Sequence, residues 1–154
     1  PLSPPVTNGF TSVLFLVDAK RNTDFDTLRK LAKSIGVRND KIFFVGFEER
    51  SQKGIEYGLP IVTSDNVDWK GRIKSNSVSF LPEKVDLLVC FYQKPSASLL
   101  AISFAVQAGF RVGVGENNLF NHLTVATKDL NEKTFADEVF KYINILNRKQ
   151  HAAN

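Results

Sequence analysis

A chain of 154 residues, 43% hydrophobic and 23% charged, has the size and composition of one folded domain, long enough to bury a core without a disulfide or metal staple. Its formal charge is +4 and its pI near 9.3, a modest excess that permits an anionic partner without demanding one. One cysteine and two histidines, with no paired spacing, exclude an internal disulfide and any zinc-site signature.

The opening "PLSPPVTNGF" lacks the basic and apolar regions of a secretory leader, and no apolar stretch approaches the ~20 residues that span a bilayer. The chain has no methionine, as expected if the initiator is removed or the sequence belongs to a longer product. A cytoplasmic, reducing location is the expectation.

"TSVLFLV" (11–17) is an uninterrupted apolar run, the pattern of a strand buried on both faces. A helix is predicted next, capped by Thr23 with Asp26 three residues on, a relative of the capping box. Phe25, Leu28, Leu31, Ala32 and Ile35 share one face, and Gly36 is placed to end the helix. "KIFFVGF" (41–47) completes a βαβ unit. Residues 48–84 carry no sustained period. Short strands are expected near "PIVT" and "WKGRIK", in an irregular or antiparallel excursion.

"VDLLVCFY" (85–92) is a further buried strand, with Cys90 expected to be an inert, buried thiol. "SASLLAISFAVQAGF" predicts a largely covered helix with Gly109 as its terminator. "RVGVG" (111–115) and "HLTVAT" (122–127) read as short strands joined by the turn "ENNLFN". Asn131 is predicted to cap a last helix with the stripe Phe135, Val139, Tyr142, Ile143 and Leu146, and Arg148 and Lys149 suit its negative end. "QHAAN" is expected to fray. The domain is thus assigned to 10–148, with flexible termini at 1–9 and 149–154.

This order predicts an α/β fold: an open, three-layer, mainly parallel sheet of about five strands, Rossmann-like or flavodoxin-like, with an irregular insert. In such sheets ligands sit beyond the carboxyl ends of the strands, where the strand order reverses. The turns "DAKRNTD" and "YQKPSAS" should reach that rim with Asp18, Lys20, Arg21, Asn22, Gln93, Lys94, Ser96 and Ser98. Asp18, Lys20, Arg21, Lys94, Ser96 and Ser98 form the candidate anion site, helped by a helix N-terminus. The simpler alternative, and the preferred one, has Ser96 only capping the helix and Lys94 in water, with Pro95 suited to a helix start.

Nothing assembles a catalytic apparatus. His122 and His151 have no nucleophile tied to them by spacing. Asp18, Asp65, Asp68 and Asp86 are free to meet in space, but acids at strand ends are commonly turn formers; Asp18 is the best single acid. "GVGENN" lacks the third glycine of a dinucleotide fingerprint, "DAKRNTD" has none, and no Walker sequence occurs. No cofactor, metal or catalytic residue is therefore assigned. In "DNVDWKGRIKS", Trp69 precedes Lys70, Arg72 and Lys74 at alternate positions, which on a strand would form a basic row beside an indole. The preferred alternative has Trp69 anchoring the insert to the core and the basic residues guarding an edge strand.

The run "LVDAK…FDTLRKLAKSIG", "IFFVGF", "DWKGRIKS", "VDLLVCFYQKP", "FRVGVGENN" and "FKYINILN" resembles a family of short, uncharacterised bacterial proteins, a domain of unknown function common in the Bacteroidota. The resemblance covers about residues 10–147, implies a short basic segment upstream, and brings no activity. A fainter similarity, of fold, is to the first half of two-domain lipopolysaccharide glycosyltransferases, whose nucleotide-sugar half is missing here. The functional expectation is a non-enzymatic binding module of a larger assembly, its basic surface meeting RNA or an acidic protein. The alternative is a small enzyme or ligand binder for a phosphorylated or acidic metabolite at the sheet rim.

Overall fold

The computed structural model describes residues 9–74, 78–115 and 121–152, the last three by backbone alone. Its centre is β1 (Val13–Asp18), apolar and buried through Val17. It pairs in parallel with β2 (Ile42–Glu48) on one side and β4 (Lys84–Phe91) on the other, from Val13 opposite Ile42 and Leu87 onward. With β3 (Ile61–Thr63), β5 (Gln107–Val114) and β6 (Leu123–Val125) the sheet has six strands, all parallel, in the order β3-β2-β1-β4-β5-β6. This is the Rossmann order rather than the flavodoxin one, and it reverses between β1 and β4.

Period-2 alternation along β1 sorts its side chains between two cores. Val13, Phe15 and Val17 face helices α1 (Phe25–Ser34) and α3 (Glu132–Ala152), with Leu28, Leu31, Phe135 and Val139 buried there. Leu14 and Leu16 face α2 (Ala97–Ala105) through Leu99 and Ile102. On that second face the insert takes the place of a crossover helix, laying Val67, Ile73, Val78 and Leu81 against the sheet. At ~1.5–3 kcal/mol for each fully buried large side chain, these two layers are what hold the strand ends, and so the rim, in place.

Several local expectations are corrected. The cap of α1 is Asp24, not Thr23: its Oδ1 accepts from Thr27 N at 3.1 Å and its Oδ2 from the Thr27 hydroxyl at 2.6 Å. The two carboxylate oxygens take one donor each, and these bonds hold its pKa below the usual range. Gly36 does close the helix, at φ 96°. Gly109 ends no helix. It lies inside β5, where an added Cβ would sit 3.2 Å from Asp86 O and crowd that carbonyl. The end of α2 is closed instead by Arg111 on β5, which donates to Ser103 O at 2.9 Å and Val106 O at 2.7 Å.

The insert contributes β3 as a parallel edge strand, and the expected antiparallel pairing is reduced to a single bridge between Val67 and Ile73. "WKGRIK" forms no strand: Asp68 Oδ1 accepts from the N–H groups of Lys70 and Arg72, each at 2.9 Å, and Gly71 turns the chain at φ 78°. Asn131 caps α3 as predicted, accepting from Thr134 N at 2.9 Å. That helix continues to Ala152. The predicted flexible segment 1–9, except Gly9, and the turn "ENNLFN", except Asn121, lie outside the described residues.

Candidate functional site

Where the strand order reverses, an open cleft of about 640 Å³ lies between the turns that follow β1, β4 and β6. Asp18, Lys20 and Arg21 line it from the first turn, Gln93 and Lys94 from the second, Asp129 and Leu130 from the third. Four of the six residues of the predicted anion site thus converge. Ser96 and Ser98 are not part of its lining, nor is the rim residue Asn22. Ser96 instead caps α2, accepting from Leu99 N at 3.2 Å, which fits the simpler alternative. Gln93 bridges the cleft by donating to Lys128 O at 2.7 Å. Lys94 is exposed, with no ion pair among the described residues.

The β1–α1 turn is tethered from both sides by buried carboxylates that sequence reasoning missed. Glu132, the first residue of α3, is 8% exposed. It accepts from Arg21 Nη2 and, at 2.7 Å, from Asp24 N. The same guanidinium donates to Leu130 O at 2.9 Å and lies 5.2 Å above the Phe91 ring. Glu48, the last residue of β2, is 2% exposed. Its Oε2 accepts from the Tyr57 hydroxyl, while its Oε1 lies 3.5 Å from Lys20 Nζ, an ion-pair distance without a hydrogen bond. Nothing in the sequence around either glutamate marks it as buried.

Among the described residues, the buried side-chain polar atoms without a hydrogen-bond partner are Arg21 Nη1, Thr23 Oγ1 and Glu48 Oε1. All belong to the β1–α1 turn or to the end of the strand beside it. Burying such groups unpaired is costly, and native structures carry few of them. On the wall, the Tyr92 phenol is pushed up to about 12 by burial and by the negative charges of Asp18 and Glu49, so it stays a neutral donor.

A family model matches residues 3–146. The chain belongs to the family of unknown function DUF6913. Curated proteins and solved structures yielded no match. The cleft and the insert both fall within the DUF6913 match.

The remaining candidates separate in space. Asp86 does not join Asp18. It sits at the opposite end of the sheet, accepting from Thr11 N and Thr11 Oγ1 at 2.7 and 2.6 Å, bonds that lower its pKa. Asp65 and Asp68 belong to turns of the insert, and no group of three His, Cys, Asp or Glu able to hold a metal occurs among the described residues. His122 is structural: its Nδ1 accepts from Arg111 N at 2.8 Å, and burial together with the Arg111 charge lowers its pKa. The Cys90 side chain is half-buried, but its thiol is desolvated and pushed up to about 12, so it stays protonated.

Trp69 anchors nothing, because it is 90% exposed; Val67 and Ile73 do the anchoring. The expected basic row is absent too, since the segment turns. Lys70 Nζ folds back to 5.0 Å from the indole, and Arg72 Nε pairs with Asp68 at 3.4 Å.

Proposed function

We propose that this domain binds a small phosphorylated or acidic metabolite in the cleft at the reversal of strand order. The observation that supports this reading is the gathering of the unpartnered buried polar atoms, Arg21 Nη1, Thr23 Oγ1 and Glu48 Oε1, around that one turn. Lys20 and Lys94 bring cationic donors to the same cleft, and an ammonium binds a phosphate as a point charge. No set of catalytic residues is assigned to it. A ligand at 100 times its dissociation constant stabilises a folded protein by ~2.7 kcal/mol. A thermal-shift screen of phosphate-bearing metabolites is therefore expected to raise the unfolding temperature, and Lys94→Glu to abolish the rise. An equal rise in Lys94→Glu would place the ligand elsewhere.

A second reading is favoured by Trp69, whose indole is held out on a hydrogen-bonded turn beside Lys70 and Arg72. On this reading the domain is a non-enzymatic module of a larger assembly, its basic surface, with Lys74 included, meeting RNA or an acidic protein. An exposed aromatic ring contributes ~1–3 kcal/mol per stacked base. Trp69→Ala is then expected to weaken binding of single-stranded RNA at least fivefold, with affinity falling as salt rises. Salt-independent binding, or none, would remove this reading. Both suit a cytoplasmic bacterial protein, and the likeness to lipopolysaccharide glycosyltransferases enters as one of fold alone.

A further inference from the structure

Three cations and two carboxylates line the cleft, but most of the positive charge already has a partner. Arg21 pairs with Glu132, and Lys20 Nζ lies 3.5 Å from Glu48. Lys94, Asp18 and Asp129 have no ion pair among the described residues. Lys94 and Asp129 are exposed and Asp18 is half-buried, so all three can meet a ligand in the cleft that they line. Asp18 Oδ1 accepts from Lys20 N at 2.9 Å. Burial first, and the Asp18 charge next, raise the pKa of Tyr92, which places that carboxylate beside the cleft wall.

A plain anion entering here would find one unpaired lysine and two carboxylates of its own sign. Like charges set side by side oppose binding, and an opposite charge on the ligand removes the conflict. An ammonium a few bonds from the acidic group serves both sets at once, because it has three donors to give to carboxylate oxygens. The groups to be met belong to the turns after β1, β4 and β6, which share one cleft of about 640 Å³, the size of a small-molecule site. Resting on the cleft reading above, we infer that the ligand is a zwitterion, with its phosphate or carboxylate on Lys94 and its ammonium against Asp18 and Asp129.

The test is calorimetric titration of the whole chain in metal-free buffer, so that no divalent cation stands in for the ammonium. Two matched pairs are compared: phosphoethanolamine with ethyl phosphate, and β-alanine with propionate. An ion pair open to solvent reaches about fivefold in affinity. With two carboxylates to meet, the amine-bearing member of whichever pair binds is expected to be tighter by at least about fivefold. In the double variant Asp18→Asn with Asp129→Asn, which keeps a side-chain oxygen for Lys20 N, that preference should vanish while the amine-free member binds at least as well. Equal binding within the pairs by the unmodified chain overturns the ammonium assignment and leaves the cleft reading standing. A preference retained in the double variant overturns it as well. No binding of any of the four overturns both.

Discussion

Glu132→Ala is expected to lower the unfolding free energy by about 3 kcal/mol, read from urea midpoints at unchanged slope. The carboxylate is 8% exposed and accepts from two donors that belong to a different part of the chain. Its loss leaves the Arg21 guanidinium with Leu130 O as its one hydrogen-bond acceptor among the described residues, and it strands Asp24 N just before α1. It also removes a negative charge from the first turn of α3, where the dipole favours one. The effect sits at the low end for a broken buried pair because Arg21 is a quarter exposed and can turn toward water. Lys133→Ala is the internal control. Its partner Asp137 lies 3.9 Å away with both side chains in solvent, so the change should stay within about 0.5 kcal/mol. Equal small effects at the two positions would mean that Glu132 tethers nothing.

The same tether bears on function. A turn held by Glu48 from β2 and by Glu132 from α3 presents its groups with little freedom left to lose, so a ligand spends less of its binding energy ordering them. The carboxylates thus act on the rim twice, through stability and through preorganisation.

How much of this the amino-acid order discloses depends on whether the deciding force is local. The runs at 11–17, 41–47 and 85–92 are apolar on both faces, the pattern of a covered parallel sheet, and these three strands do lie side by side in one direction. Gly36 and Asn131 are likewise read from neighbours a turn away. Gly109 misleads because its reason is a carbonyl on another strand, Asp86 O, rather than a helix end. Arg111 hides for the same cause, since the helix end that it closes belongs to a different element. In the insert, "WKGRIK" alternates like a strand, yet Asp68 offers its carboxylate to two backbone N–H groups and Gly71 supplies the positive φ, so turn chemistry prevails over alternation.

The site divides along the same line. Asp18, Lys20, Arg21 and Lys94 reach the cleft because strand ends in a parallel sheet share one rim, a consequence of topology alone. Ser96 and Ser98 follow Lys94 closely in the chain but belong to the start of α2, beyond the cleft lining. Glu48 and Glu132 were not legible. A glutamate at the end of a strand or the start of a helix is ordinarily solvated, and only the meeting of β2, α3 and the first turn buries these two.

Phe91→Ala should destabilise the domain by about 3–5 kcal/mol and weaken the cleft at the same time. The ring is 1% exposed at the carboxyl end of β4, with the Phe135 ring 5.0 Å away and the Arg21 guanidinium 5.2 Å above it. Truncation opens a cavity at the meeting point of β4 and α3, and the close packing on either side lets it collapse only in part. It also takes away the aromatic face under Arg21, so the guanidinium loses one of the contacts that set its position in the cleft lining. Phe91→Leu retains most of the volume and should cost about 1–2 kcal/mol, yet it loses the ring face as fully as alanine does. Comparing the two variants separates packing from positioning. If phosphate affinity tracks stability, falling in alanine and recovering in leucine, the ring acts as filler. If both variants bind equally poorly while differing in stability, the aromatic face itself orients Arg21. The second outcome is expected, because Glu132 and Leu130 O hold the guanidinium through Nη2 alone and the ring supplies a contact to its face.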